Sequence, residues 1–170
     1  EFVRGQRAAA IKVVSLADEV TDHYAPGRPH YPATMIIEGM AQLGGVLVDS
    51  LDEFSGRIVL AKIQKSEFFF EVVTGEKLDL RCEVQDVLDI GSFVRGTVHC
   101  GDRLQANIDL MFARLSDPRF DTVQLFEPAD FCRMLRTMRL FDVGVNEDGS
   151  PLKIPDHMLE AEEAYLLNHQ

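Results

Sequence analysis

Residues 23–48 read HYAPGRPHYPATMIIEGMAQLGGVLV, and the second half of that stretch decides the fold. Pro32 is suited to open a helix, and residues 33–51 read as one long helix. Thr34, Glu38 and Gln42 fall at i, i+4 and i+8, a single narrow polar stripe. Met35, Ile36, Ile37, Met40, Leu43, Val46 and Leu47 occupy the rest of the circumference. A helix that is apolar almost all round must be covered by other structure, so this one is central. Gly39, Gly44 and Gly45 each weaken a helix by about 1 kcal/mol relative to alanine at exposed positions. Their presence implies that other backbone comes close. Glu38 is the lone carboxylate of the stretch, and its apolar neighbours imply burial on nearly every side. The competing reading is that it points to water from one edge of the helix. A carboxyl group withdrawn from water keeps its proton closer to neutrality, which is what a general acid requires.

Working outward, residues 8–15 read as a strand, and the pattern changes after the helix. Between Arg57 and Leu115 the chain runs RIVLAKIQKSEFFFEV, EKLDLRCEVQDVL, SFVRGTVHC and RLQANIDLMFARL. These alternating, β-rich segments are separated by the turn signals Thr74-Gly75, Ile90-Gly91 and Gly101-Asp102. The order is strand, long helix, then about four strands. That is an α+β class, with one antiparallel sheet covering one helix. Residues 1–115 form this domain and residues 116–170 a C-terminal helical extension. In the extension, 117–130 read as loop, while Pro128 to Leu140 and His157 to Leu167 read as helices.

Composition narrows the function. A length of 170 residues with 46% hydrophobic content suits one core, and no apolar run approaches the roughly 18 residues of a membrane span. The formal charge of −11, of which the extension supplies −6 through 11 acidic and 5 basic residues, argues against a general nucleic-acid surface. Cys82, Cys100 and Cys132 lack metal-ligand spacing and read as buried thiols in a reducing, cytoplasmic setting.

Upstream of the helix, His23 precedes a loop stiffened by Pro26, Pro29 and Pro32. The helix start presents the N–H groups of Ala33, Thr34 and Met35, an arrangement that stabilises an oxyanion. Histidine, carboxyl and N–H donors thus fall within a short span. A lone histidine before a loop is more often a surface group.

These residues resemble the active-site segment of the hot-dog-fold (3R)-hydroxyacyl-acyl-carrier-protein dehydratases of type II fatty-acid synthesis. His23-Tyr24 stands for the family's His-Phe, Pro26-Gly27-Arg28-Pro29 for Pro-Gly-x-Pro, and Tyr31-Pro32-Ala33 for Met-Pro-Gly. Glu38-Gly39-Met40-Ala41-Gln42 stands for the helix segment with its Glu followed by Ala-Met-Ala-Gln, and KSEFFFEVVTGEKLDL resembles the strand pattern downstream. The resemblance runs from about Arg7 to Leu115 and leaves out the extension. It implies a hot-dog fold, a hydro-lyase activity in fatty-acid or related acyl-chain biosynthesis, no cofactor and no metal. His23 would take the C2 proton, Glu38 would protonate the leaving 3-hydroxyl, Ala33 and Thr34 would hold the thioester carbonyl, and Gln42 would orient Glu38. It also implies a homodimer, or three such dimers, acting on thioesters of an acyl carrier protein or coenzyme A. Tyr31 would line the substrate tunnel, and Arg28, Lys62 and Lys65 would dock an acidic carrier.

The departures leave alternatives open. Ala25 is one residue more than the family has, so Tyr24 stands at the family's spacing from Glu38 and His23 one place further. Either the loop bulges and His23 reaches the site, or Tyr24 occupies the histidine's place. Two further function classes remain: a hot-dog acyl thioesterase using Glu38 and water, and a non-catalytic subunit that binds an acyl carrier.

Overall fold

The computed structural model describes residues 1–18, 27–89, 91–115 and 125–168. Strands β1 (Phe2–Val3) and β2 (Arg7–Val13) precede the central helix α1 (Ala33–Asp49) and a 3-10 turn at Ser50–Asp52. Four long strands follow: β3 (Ile58–Phe68), β4 (Lys77–Leu88), β5 (Gly91–Cys100) and β6 (Arg103–Arg114). Residues 128–168 supply α2 (Pro128–Thr137), α3 (Leu140–Val143), β7 (Gly144–Val145) and α4 (Asp156–Asn168).

The seven strands of the described residues form one sheet in the order β3-β6-β5-β4-β2-β1-β7. Every pairing is antiparallel except β1 with β7. The sheet packs on α1, and Ile36, Met40 and Leu47 of the helix meet Val94, Val98, Ile108, Leu110 and Phe112 in one core. The expected α+β arrangement, an antiparallel sheet around one helix, is therefore the fold. Gly75 (φ +93°) and Gly101 (φ +59°) sit in the left-handed region at two of the anticipated turns. Ile90 lies outside the described residues.

The helix glycines have a different cause from the one their sequence implied. A Cβ at Gly44 would stand 3.1 Å from the Phe112 ring, and one at Gly39 would stand 3.3 Å from Leu80. Side chains of the sheet, rather than backbone, press on the helix. Its regular part ends at Asp49 rather than at 51, because Glu53 and Phe54 turn left-handed (φ +50° and +58°). Likewise α2 stops at Thr137 instead of Leu140, where Arg139 adopts φ +59°. Cys82 and Cys132 are buried as expected, Cys100 is half-buried, and all three are free. Burial pushes the Cys82 thiol up to about 12, which leaves it unreactive.

Asp49 holds the tight turn after α1. Its carboxylate accepts from the Gly56 N–H at 2.9 Å and the Ser55 hydroxyl at 3.3 Å. The residue is only 3% exposed. Burial, opposed by those two hydrogen bonds, lifts the Asp49 carboxyl from 3.8 to about 6. The folded state therefore holds a proton that the unfolded state releases between those values. Stability from this group is complete below pH 3.8 and declines as pH rises through about 6. The shift corresponds to about 3 kcal/mol. Urea unfolding of the wild type and Asp49→Asn at pH 4 and pH 7 should show the variant gaining about that much relative to the wild type at the higher pH. A difference independent of pH would show that Asp49 is ionised alike in both states.

Candidate active site

The start of α1 is anchored before the helix begins. Tyr31 forms an isolated antiparallel bridge to Val72, its N–H donating to the Val72 carbonyl at 2.7 Å. This ties the proline-rich segment to the chain leaving β3. Pro32 supplies the cap position with extended backbone, and no side chain among the described residues caps the helix. Its carbonyl accepts from Met35 N–H at 3.0 Å and from Ile36 N–H at 3.3 Å. Met35 is therefore not one of the free donors that the sequence suggested. Ala33 and Thr34 N–H have no hydrogen-bond partner among the described residues.

A cleft of about 320 Å³ opens at this helix start. Ala33, Ile36 and Tyr31 form one side, and Phe68 to Val72 with Gln105 form the other. Tyr31 is buried, and its phenol is shifted upward, first by burial. Its ring lies 5.6 Å from the Lys12 ammonium. His30 also lines the cleft, its Nδ1–H donating to the Arg28 carbonyl at 2.9 Å. Neither His30 nor Gln105 stood out in the sequence. His30 belongs to no spacing pattern, and Gln105 lies where strand alternation would not predict an inward polar group.

Thr34, Glu38 and Gln42 form the stripe that periodicity predicted, and all three are exposed. The expectation that Glu38 would be buried on nearly every side fails for the single chain, because the sheet covers the other faces of α1 and leaves this one open. Gln42 Nε2 donates to Glu38 Oε1 at 3.0 Å. One carboxylate oxygen is thereby held and the other left available. His23, Tyr24 and Ala25 lie outside the described residues, so their placement relative to Glu38 stays a proposal.

The expected carrier-docking residues are all exposed but are not all unneutralised. Arg28 pairs with Glu71 at 3.0 Å and Lys65 with Glu67 at 2.8 Å. The Lys65 ammonium holds the Glu67 carboxyl below its usual range. Lys62 projects from the same strand as Lys65. No helix among the described residues is long and apolar enough to cross a membrane.

No protein-family model matches the sequence. Curated relatives do. A protein named 3-hydroxyacyl-acyl-carrier-protein dehydratase FabZ from Symbiobacterium thermophilum is 37% identical over 117 residues, covering 66% of this chain and 80% of the relative. The same-named protein of Pelotomaculum thermopropionicum is 36% identical over 110 residues, covering 64% and 79%. The chain belongs to the FabZ dehydratase family.

FabZ proteins are hydro-lyases of fatty-acid synthesis, and the hot-dog fold expected from the resemblance is the one observed. Solved structures agree on the fold at low identity. The dehydratase heterocomplex ApeI:P from Xenorhabdus doucetiae superposes with a TM-score of 0.55 at 17% identity, covering 69% of this chain and 80% of that one. A fluoroacetyl-CoA-specific thioesterase, FlK, reaches 0.56 at 13% identity over 69% and 98%. At such identities the likeness concerns architecture only. The FabZ relatives, at 36–37% identity, separate dehydratase from thioesterase.

Proposed function

We propose that this FabZ-family chain dehydrates (3R)-hydroxyacyl thioesters to trans-2-enoyl thioesters, with His23 and Glu38 as the base and acid. The observation that carries the residue assignment is the Gln42–Glu38 hydrogen bond on the open stripe of a helix whose start faces a cleft. The thioester carbonyl accepts from Ala33 N–H, with Thr34 N–H beside it, so negative charge developing on that oxygen meets donors already in place. His23 takes the C2 proton made acidic by the polarised carbonyl. The C2 electron pair forms the C2–C3 double bond as the C3–O bond breaks. Glu38 in its acid form gives its proton to the departing hydroxyl, which leaves as water. Proton transfer from imidazolium to carboxylate, directly or through solvent, resets both groups. Gln42, bound to one carboxyl oxygen, keeps the other turned toward the 3-hydroxyl.

Two features support a homodimer. The open stripe on α1 carries the proposed acid, and β3 is a sheet edge of 11 residues with Leu60 40% and Ile63 42% exposed. A second chain covering both would take Glu38 out of water and bring His23 of one protomer to Glu38 of the other. Acyl-carrier-protein and coenzyme A thioesters share the reacting atoms and are both candidate substrates. Arg28, Lys62 and Lys65 remain the proposed carrier-facing cations, weakened by the two carboxylates paired with them.

Product analysis tests the assignment. Purified protein given (3R)-hydroxybutyryl pantetheine should form the enoyl thioester with no free thiol. Thiol release would replace this reading with hydrolysis. Retained carrier binding with neither product would make the chain a non-catalytic subunit.

A further inference from the structure

Gln105 occupies an irregular point in β6. The register with β5 passes from Val98↔Ala106 directly to His99↔Leu104, leaving Gln105 as the extra residue of a bulge. Bulges re-aim side chains, and here the result is a glutamine only 1% exposed that lines the cleft at the start of α1. Its Nε2 donates to the Phe70 carbonyl at 2.9 Å, which fixes the amide's orientation because a carbonyl can only accept. The other end, Oε1, is buried and has no hydrogen-bond partner among the described residues. Native proteins rarely leave such an acceptor unmade, and its residue's place in the cleft wall makes a ligand donor a candidate partner.

Among the described residues, Ala33, with its unpartnered N–H, and Gln105, with its unpartnered Oε1, thus both line the cleft. A pantetheine thioester carries the complement: a carbonyl oxygen and, beyond the sulfur and two methylenes, an amide N–H. Glu38 already takes the 3-hydroxyl in the mechanism above, so this amide is the remaining donor near the reacting centre. We propose that Gln105 is a positioning residue whose Oε1 accepts the hydrogen bond of the cysteamine amide N–H, seating the thioester arm in the cleft. The assignment rests on the thioester reading of the site and adds the residue that recognises the arm. Carrier-bound and coenzyme A substrates share the amide, so the contact serves both.

The test alters the ligand as well as the chain. Butyryl pantetheine has no 3-hydroxyl and cannot be dehydrated; its affinity is measured by calorimetry beside a counterpart in which oxygen replaces the cysteamine N–H. The wild type should bind the amide form about fivefold to tenfold more tightly. Gln105→Met should abolish that preference, weaken the amide form and leave the oxygen form nearly unchanged. The same ratio should appear in kcat/KM for the matching hydroxybutyryl pair. Equal wild-type affinities for the two forms would overturn the assignment, even if the variant fails to fold. Equal losses on both forms in Gln105→Met would also overturn it, showing a purely structural glutamine. Absence of enoyl product from the wild type would instead count against the dehydratase reading, while the binding ratio still decides the role of Gln105.

Discussion

Glu38→Gln should lower kcat on a (3R)-hydroxyacyl thioester by about a thousandfold while changing affinity for the unreactive butyryl thioester by less than about threefold. The substitution keeps the length and shape of the side chain. Its amide oxygen still accepts from Gln42 Nε2, so the bond that orients residue 38 survives. What disappears is the acidic proton that the departing hydroxyl requires. Single-turnover kinetics with the enoyl product followed by absorbance would read the loss in the chemical step. Full activity in this variant would remove Glu38 from the mechanism. An equal loss in kcat/KM and in binding would make it a structural residue of the helix surface.

The second large effect concerns the loop before the helix. His23→Ala should lower kcat by about a hundredfold to ten-thousandfold, the usual range for removing a general base. Tyr24→Phe should change it by less than about threefold, since the proposed mechanism gives the phenol no proton to move. The reverse order would show that Tyr24 holds the base's position and that the extra Ala25 shifts the histidine out of the site. His30→Ala is a necessary control, because His30 lines the cleft. On the proposed mechanism it retains most of the activity. Loss in that variant with full activity in His23→Ala would move the base to His30.

The parts of this molecule that sequence patterning foretold are those governed by a repeated local rule. The four long strands were legible because alternation over ten or more residues, interrupted by Gly75 and Gly101, has one physical reading. The stripe of Thr34, Glu38 and Gln42 followed from helical period alone. Strands β1 and β7 were not legible, because two residues carry no period; they exist through pairing with β2 and with each other. The end of α1 was misjudged by two residues because the apolar pattern continues into the 3-10 turn that Asp49 secures. Helix position placed Ala33 at the cleft and Glu38 on the open stripe, and the catalytic roles of both belong to the proposal. The Met35 N–H went to Pro32 because the first turn tightens before the α-helical ladder begins. Gln105 escaped notice because a bulge suspends the very alternation by which inward positions are counted. The cleft as a whole is a tertiary fact: the Tyr31–Val72 bridge joins segments 41 positions apart, and no local pattern announces it.

The two-residue strand β7 has a consequence for how many chains can join. One end of the sheet is finished by this short parallel stub, held on β1 and followed by the turn that bridges Val145 to Pro151. The opposite end is the long strand β3. A molecule with two usable ends could add copies without limit; a molecule with one can add a single copy. Two chains meeting β3 to β3 about a twofold axis would use up the long free edge that the described residues offer, leaving a stub at each extremity. In the proposed homodimer, β7 would act as a chain terminator for the sheet, favouring a closed pair over a filament.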